Sequence, residues 1–326
     1  MKIVITDLDQ ERTTEEQTVA DAAGAELVRA QAGTEDEVIA AAQGADALLV
    51  QYAPITRRVL EALPTVRAVG RYGVGVDTVD LAAATALGVA VSNVPDYGTE
   101  DVSDHAVALA VSLARGVVQL DRNLREGTYS LAPVKPLHRI AGRSFGVIGL
   151  GRIGAATARK ARALGFSVHG CDPMREPGTT TEDGIAVMEQ ETVLSGSDVI
   201  SVHVPLTEHT HHLVDAAAIA RMQAGTLLVN TSRGGVVDTM AVVDALRSGH
   251  LRGAGLDVFE TEPLPADSPL RECPTAVLTP HASWYSEESE TELKRRVIEN
   301  VVDVLGGRRP RNILNPEVLE ATGRRG

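Results

Sequence analysis

Residues 147–154 read "VIGLGRIG". They close the apolar run "SFGVI" with the spacing G-x-G-x-x-G and lead straight into "AATARKARALG". The run reads as a buried strand and the alanine-rich segment as a helix. Between them, Gly149 permits a tight turn. Gly151 lets the backbone approach a pyrophosphate, and Gly154 lets helix and strand pack closely. The helix start, with Arg152 and Ile153, points free N–H groups at such an anion. Glycine-rich turns are common, so the spacing alone is weak. Asp172 strengthens it. This acid ends the next apolar run, "FSVHGCD", eighteen positions past Gly154. It can accept hydrogen bonds from adenosine ribose hydroxyls, and it repels a 2′-phosphate. This favours NAD over NADP, with Arg175 a weaker counter-argument; Pro173, beside Asp172, is a further expected cofactor contact.

Working outward, the same alternation continues. Strands are expected at 145–149, 167–171, 198–203, 226–230, 252–257 and 275–279, with helices between most of them. The first hundred residues repeat the pattern with five short apolar runs, from "KIVITDL" to "GVAVSNV". The expected fold class is therefore α/β, with two doubly wound parallel-sheet domains. Residues 95–98 read as a hinge. Thr99 reads as the N-cap of one long helix running to about residue 125, and His105 on that helix receives no role. After "TPHASWYSEES" the segment "ELKRRVIENVVDVL" is apolar at helical spacing. It can fold back on the first domain. The expected boundaries are 1–98 plus 286–326 for one domain and 99–285 for the other.

The bulk numbers narrow the function. The chain has 326 residues, 44% of them hydrophobic and 3% aromatic, so the core must be built from Ala, Val, Leu and Ile. A net charge of −13 opposes nucleic-acid and anionic-membrane binding. Cys171 and Cys273 can form one disulfide at most, and a reduced cytoplasmic protein is the simpler reading. The N-terminal "MKIVITDLDQ" has no signal-peptide pattern. No apolar run approaches the roughly 20 residues of a membrane span. His209, His211 and His212 lack the companions of a metal site and read as loop structure; no metal is expected.

Chemistry-bearing residues gather at three expected strand ends. "LLVNTSRGGVVD" puts Thr231, Ser232 and Arg233 after one strand, and a guanidinium there can hold a carboxylate by two hydrogen bonds. "AGLDVFETEP" puts Asp257, Glu260 and Glu262 after the next. "VLTPH" puts His281 after the third. In open parallel sheets ligands bind at these carboxyl ends. Read alone, "LTPHASWYSEES" does not separate a structural histidine from a proton donor. Its company above a dinucleotide site favours the donor. Hydride transfer from a nicotinamide to a carbonyl carbon also requires a proton for the carbonyl oxygen. Imidazolium is the natural proton source near neutral pH, and a neighbouring carboxylate favours its charged form. His203, Val204 and Pro205 follow another strand end and are expected to line the adenosine side. Thr231 and Ser232 are expected near the nicotinamide ribose, and Asp257 near the carboxamide.

With "VIGLGRIG", "NTSRGGVVD", "LDVFETEP" and "TPH" in hand, the chain resembles the D-2-hydroxyacid dehydrogenase family over nearly its whole length. "TEHTHHLVD" and "HASWYSEES" are similar to its C-terminal-binding protein branch. The resemblance implies Arg233 as substrate clamp, Glu262 as partner acid and His281 as acid/base. It implies a discontinuous, flavodoxin-like substrate domain, a Rossmann NAD-binding domain, a homodimer, and closure of the two domains over a small 2-keto or 2-hydroxy acid. In "GRYGVGVDTVD" it implies that amides near Val74 and Gly75 receive the substrate carboxylate. Arg71, Tyr72 and Trp284 are expected to shape the rest of the pocket. The alternative from the same branch is an NAD(H)-responsive corepressor scaffold with little turnover.

Overall fold

The computed structural model describes residues 1–9 and 12–323. Two units emerge, Met1–Tyr97 with Ser286–Gly326, and Gly98–Tyr285.

The first unit opens with β1 (Lys2–Ile5), α1 (Thr14–Ala22), β2 (Glu26–Arg29), α2 (Glu35–Ala41) and β3 (Ala47–Val50). It continues with α3 (Arg57–Ala62), β4 (Ala68–Arg71), α4 (Leu81–Ala86) and β5 (Ala90–Ser92). The strands pair in parallel in the order β2-β1-β3-β4-β5, the flavodoxin-like arrangement. All four residues of β3 are buried, as a strand covered on both faces requires. Helix starts are fixed by side chains. Thr34 and Glu37 form a capping box on α2, and Asp80 accepts the Ala83 amide at the start of α4.

The second unit begins with α5 (Thr99–Arg115) and α6 (Val117–Arg125). Then come β6 (Ser144–Ile148), α7 (Arg152–Ala163), β7 (Ser167–Cys171), β8 (Ala186–Val187), α8 (Gln190–Gly196) and β9 (Val199–Val202). The rest is α9 (Ala216–Arg221), β10 (Thr226–Asn230), α10 (Thr239–Ser248), β11 (Leu251–Leu256) and β12 (Ala276–Leu278). The parallel order is β12-β11-β10-β9-β6-β7-β8. It reverses direction between β6 and β9, the switch point where a doubly wound sheet binds its ligand. Aliphatic clusters fill both faces, and Phe145 and Phe166 meet edge to face with centroids 5.2 Å apart.

Two expectations need correction here. The helix expected to run unbroken to residue 125 is two helices. Gly116 between them adopts φ +63, and a Cβ there would meet Val134 at 2.8 Å. The N-cap of α5 is Gly98 rather than Thr99, with no side-chain cap. The sheet also gains the two-residue strand β8, which was not foreseen.

The chain returns to the first unit through α11 (Glu287–Leu305) and α12 (Glu317–Gly323). Ser286 and Ser289 cap α11 reciprocally. Its stripe of Leu293, Val297, Val301 and Leu305, at fourfold spacing, is buried against β3, β4 and β5. Gly70 of β4 lets it sit close, since a Cβ there would lie 3.0 Å from Val297. Among the described residues, no helix is long and apolar enough to cross a membrane, and no acid or histidine cluster could hold a metal ion. Cys171 and Cys273 are buried and unpaired with each other.

Candidate active site

The glycine turn after β6 has three different constraints. Gly149 stands at φ +93, and a Cβ there would come within 2.6 Å of the His203 carbonyl. A Cβ on Gly154 would lie 1.9 Å from the Gly149 carbonyl, so α7 can pack on the turn only with glycine there. A Cβ on Gly151 would meet nothing within 4 Å. The space above Gly151 is thus open to a ligand. The first turn of α7 holds no acidic residue to neutralise its positive pole. Asp172 ties the turn together, accepting the Leu150 amide at 2.8 Å on one oxygen and the Met174 amide at 2.9 Å on the other. Each oxygen keeps a second lone pair for a ribose hydroxyl. His203 bonds Ser201 Oγ through Nε2 at 2.8 Å, and burial pushes its imidazole down to about 4. It is a neutral wall beside Val204.

The carboxyl ends of β10, β11 and β12 are neighbours in the sheet. Arg233 follows β10 on a turn built by Asn230, which accepts from Ser232 N and Oγ and donates to the Arg233 carbonyl. Gly234 lets this turn press on the chain after β11. A Cβ there would lie 1.9 Å from the Phe259 carbonyl carbon. From this turn the Arg233 guanidinium acts on Glu262 electrostatically. His281 follows β12 in a left-handed conformation, φ +51, and its Nδ1 lies 2.7 Å from Glu262 Oε2. The other Glu262 oxygen accepts the Phe259 amide at 2.8 Å. Burial alone would raise the Glu262 carboxyl. The His281 hydrogen bond and charge, the Phe259 amide and the Arg233 guanidinium outweigh it and hold the carboxyl below its ordinary range. Glu262 is therefore ionised and must accept, so Nδ1 of His281 carries the proton. Nε2 is left for another partner.

Residues 107–283 match the model of the D-isomer specific 2-hydroxyacid dehydrogenase NAD-binding domain. The chain belongs to the D-isomer specific 2-hydroxyacid dehydrogenase family. It is 42% identical over 270 residues to a glyoxylate reductase of Korarchaeum cryptofilum, covering 82% of this chain and 81% of that protein. It is 41% identical to D-3-phosphoglycerate dehydrogenase of Mycobacterium bovis over 83% of this chain, but spans about half that protein's length, 51%. Among solved structures, the TT0316 protein from Thermus thermophilus superposes with a TM-score of 0.87 at 33% identity, covering 96% of this chain and 100% of that one. These relatives do not bear on the narrower C-terminal-binding protein branch.

The site of this NAD-dependent dehydrogenase accommodates the cofactor of its family. The open face at Gly151 suits a pyrophosphate, and Thr231 Oγ1 is buried with no hydrogen-bond partner, as expected of a group that meets a bound ligand. Pro173 follows Asp172 and is exposed, while Pro205 is exposed next to Val204.

Of the remaining residues, Asp257 and Tyr72 sit differently from expectation. Asp257 was expected to reach the carboxamide. Its side chain is fully enclosed and accepts from Thr279 Oγ1 at 2.6 Å, Ala282 N at 2.9 Å and Ser283 N at 3.0 Å. It builds the His281 loop instead. Glu260 serves His212 Nε2 at 2.9 Å and the Thr239 amide at 2.8 Å, which accounts for one of the three clustered histidines. Trp284 is half-buried, edge to face with Tyr285, and its carbonyl would lie 3.5 Å from a Cβ on Gly98. In the first unit, Tyr72 was expected to touch substrate, but its ring is buried and its hydroxyl donates to Glu16 at 2.8 Å. Arg71 folds over Gly73, where a Cβ would meet its Nη1 at 1.8 Å. Val74 and Gly75 stay accessible, with the Val74 carbonyl held by Asn93.

Proposed function

We propose that the protein reduces a small 2-keto acid, of the size of glyoxylate, to its 2-hydroxy acid (D where C2 becomes chiral), with His281 as the proton donor. The His281–Glu262 pair carries this reading: an ionised carboxylate at 2.7 Å fixes the tautomer and presents Nε2 to the reacting oxygen. The similarity to a glyoxylate reductase supports the substrate class.

The glycine turn, with Arg152 and Ile153 of α7, holds the cofactor pyrophosphate. Asp172 holds the adenosine ribose between Pro173 and the strand end at His203, Val204 and Pro205. Thr231 and Ser232 hold the nicotinamide ribose. Bound NADH supplies a hydride to C2. As the carbonyl π bond breaks, its electron pair takes the proton from His281 Nε2, and Glu262 holds the ring in place throughout. Water later restores the proton to the imidazole. Arg233 grips the keto-acid carboxylate with two parallel N–H donors and stabilises charge growing on the oxygen. In the first unit the Val74 and Gly75 amides are the proposed carboxylate donors, with Arg71 their neighbour in the loop; in the second, Trp284 is the proposed wall for the substrate side chain. A homodimer in the cytoplasm, with no nucleic-acid partner at a charge of −13, completes the proposal. No observation favours the scaffold reading.

The test is NADH oxidation with glyoxylate, hydroxypyruvate, pyruvate and phenylpyruvate. Turnover with the small acids, lost in Arg233→Ala, supports the proposal. NADH binding without turnover of any acid overturns it.

A further inference from the structure

Three elements meet at the enclosed Asp257 carboxylate: the ends of β11 and β12, which belong to the site described so far, and α5, which does not. His105 on α5 places Nε2 3.0 Å from Thr279 Oγ1 and 3.7 Å from Asp257 Oδ1. Thr279 gives its one hydroxyl proton to Asp257 at 2.6 Å. A hydroxyl with its proton already committed can only accept, so His105 Nε2 carries a hydrogen and donates it.

The alignment is set by packing. Along β11, Gly253 and Gly255 carry no side chain, and Cβ atoms there would lie 3.0 Å from Leu113 and 3.0 Å from Leu109 of α5. Two strand residues advance about 6.6 Å and four helix residues about 6 Å, so the two ladders stay in step. The series 253, 255, 257 on the strand therefore faces 113, 109, 105 on the helix. The next rung after the two glycine contacts is Asp257 opposite His105.

Asp257 in turn controls the loop that carries His281. Its carboxylate accepts the amides of residues 282 and 283, and its backbone carbonyl accepts the His281 amide at 2.8 Å. A non-glycine residue at φ +51 is sterically disfavoured, and these bonds hold it there. An enclosed carboxylate also requires its partners, because a buried anion left short of hydrogen bonds is strongly destabilised.

We infer that His105 is a positioning residue for the reaction: through Thr279 and Asp257 it sets the loop conformation that aims the His281 ring. The inference rests on His281 being the proton donor. The experiment measures NADH affinity by fluorescence, kcat at saturating glyoxylate, and the solvent deuterium isotope effect on kcat, all on the full chain. His105→Phe should lower kcat by about tenfold to a hundredfold, the range for a slightly misplaced catalytic group, with NADH affinity kept. Its solvent isotope effect should rise, because proton transfer becomes slower relative to the other steps. A merely structural loss would reduce the active fraction and leave the isotope effect unchanged.

His105→Gln, which can still donate to Thr279, should recover most of the rate. Thr279→Val should reproduce the His105→Phe signature, and it decides the matter if His105→Phe does not fold. Unchanged kcat and isotope effect in the folded variants overturn the inference. His281→Gln in the same series separates the two claims. If it abolishes turnover while the His105 and Thr279 variants behave as wild type, only the positioning role fails. If it retains turnover, the proton-donor reading itself fails.

Discussion

Nδ1 of His281 and Oε2 of Glu262 stand 2.7 Å apart, although nineteen positions separate the two residues in the chain. They meet because β11 and β12 are adjacent and parallel, so both carboxyl ends open on the same side. The depressed Glu262 carboxyl fixes the sign of a pH effect. Its folded value lies below the ordinary 4.5, so its stabilisation is fully present above that value and is lost as the pH falls through the folded one. Below pH ~4.5 the wild type should lose thermal stability more steeply than Glu262→Gln. Parallel melting curves from pH 7 to 3 check this, and identical slopes would contradict it.

Gly151 and Gly154 should separate ligand binding from folding. Gly154→Ala forces a Cβ against the Gly149 carbonyl, so it should lower both the melting temperature and NADH affinity. Gly151→Ala meets open space in the protein, so the melting temperature should stay near wild type while NADH affinity drops. Calorimetry and fluorescence titration of both variants test the pair. A Gly151→Ala protein that binds NADH normally would place the pyrophosphate elsewhere.

Arg233 acts as a fork rather than as a point charge. Arg233→Ala should lower kcat/KM for the keto acid by about a hundredfold or more, and Arg233→Lys should recover little of it. Full recovery in the lysine variant would mean that charge alone suffices.

Asp172 has two duties, tying the glycine turn and excluding a 2′-phosphate. Asp172→Asn keeps an amide-accepting oxygen but removes the charge. The ratio of kcat/KM for NADH over NADPH should then fall by about tenfold, the size of one modest charge contact. An unchanged ratio would show that discrimination lies in other groups.

Some of this was legible in the sequence. The strand-glycine-helix-acid succession at 144–172 reports local chemistry, and the three loaded strand ends follow from parallel alternation. Features set by distant contacts were not. Gly116 takes its left-handed conformation against Val134, eighteen positions later, and β8 is too short to show a period. Asp257 looked like a ligand contact because its partners, Thr279, Ala282 and Ser283, lie 22 to 26 positions away. Tyr72 lies beside the glycines of its loop, yet its hydroxyl goes to Glu16, 56 positions earlier. His105 is 174 positions from Thr279, and only the step of glycines along β11 facing α5 hinted at the approach.

The most direct measurement is kcat/KM for glyoxylate reduction by wild type and His281→Gln at matched NADH occupancy. A general acid contributes roughly a hundredfold to ten-thousandfold, so the variant should lose at least about a hundredfold while binding NADH as tightly as wild type. A His281→Gln protein that reduces glyoxylate at the wild-type rate would contradict the account.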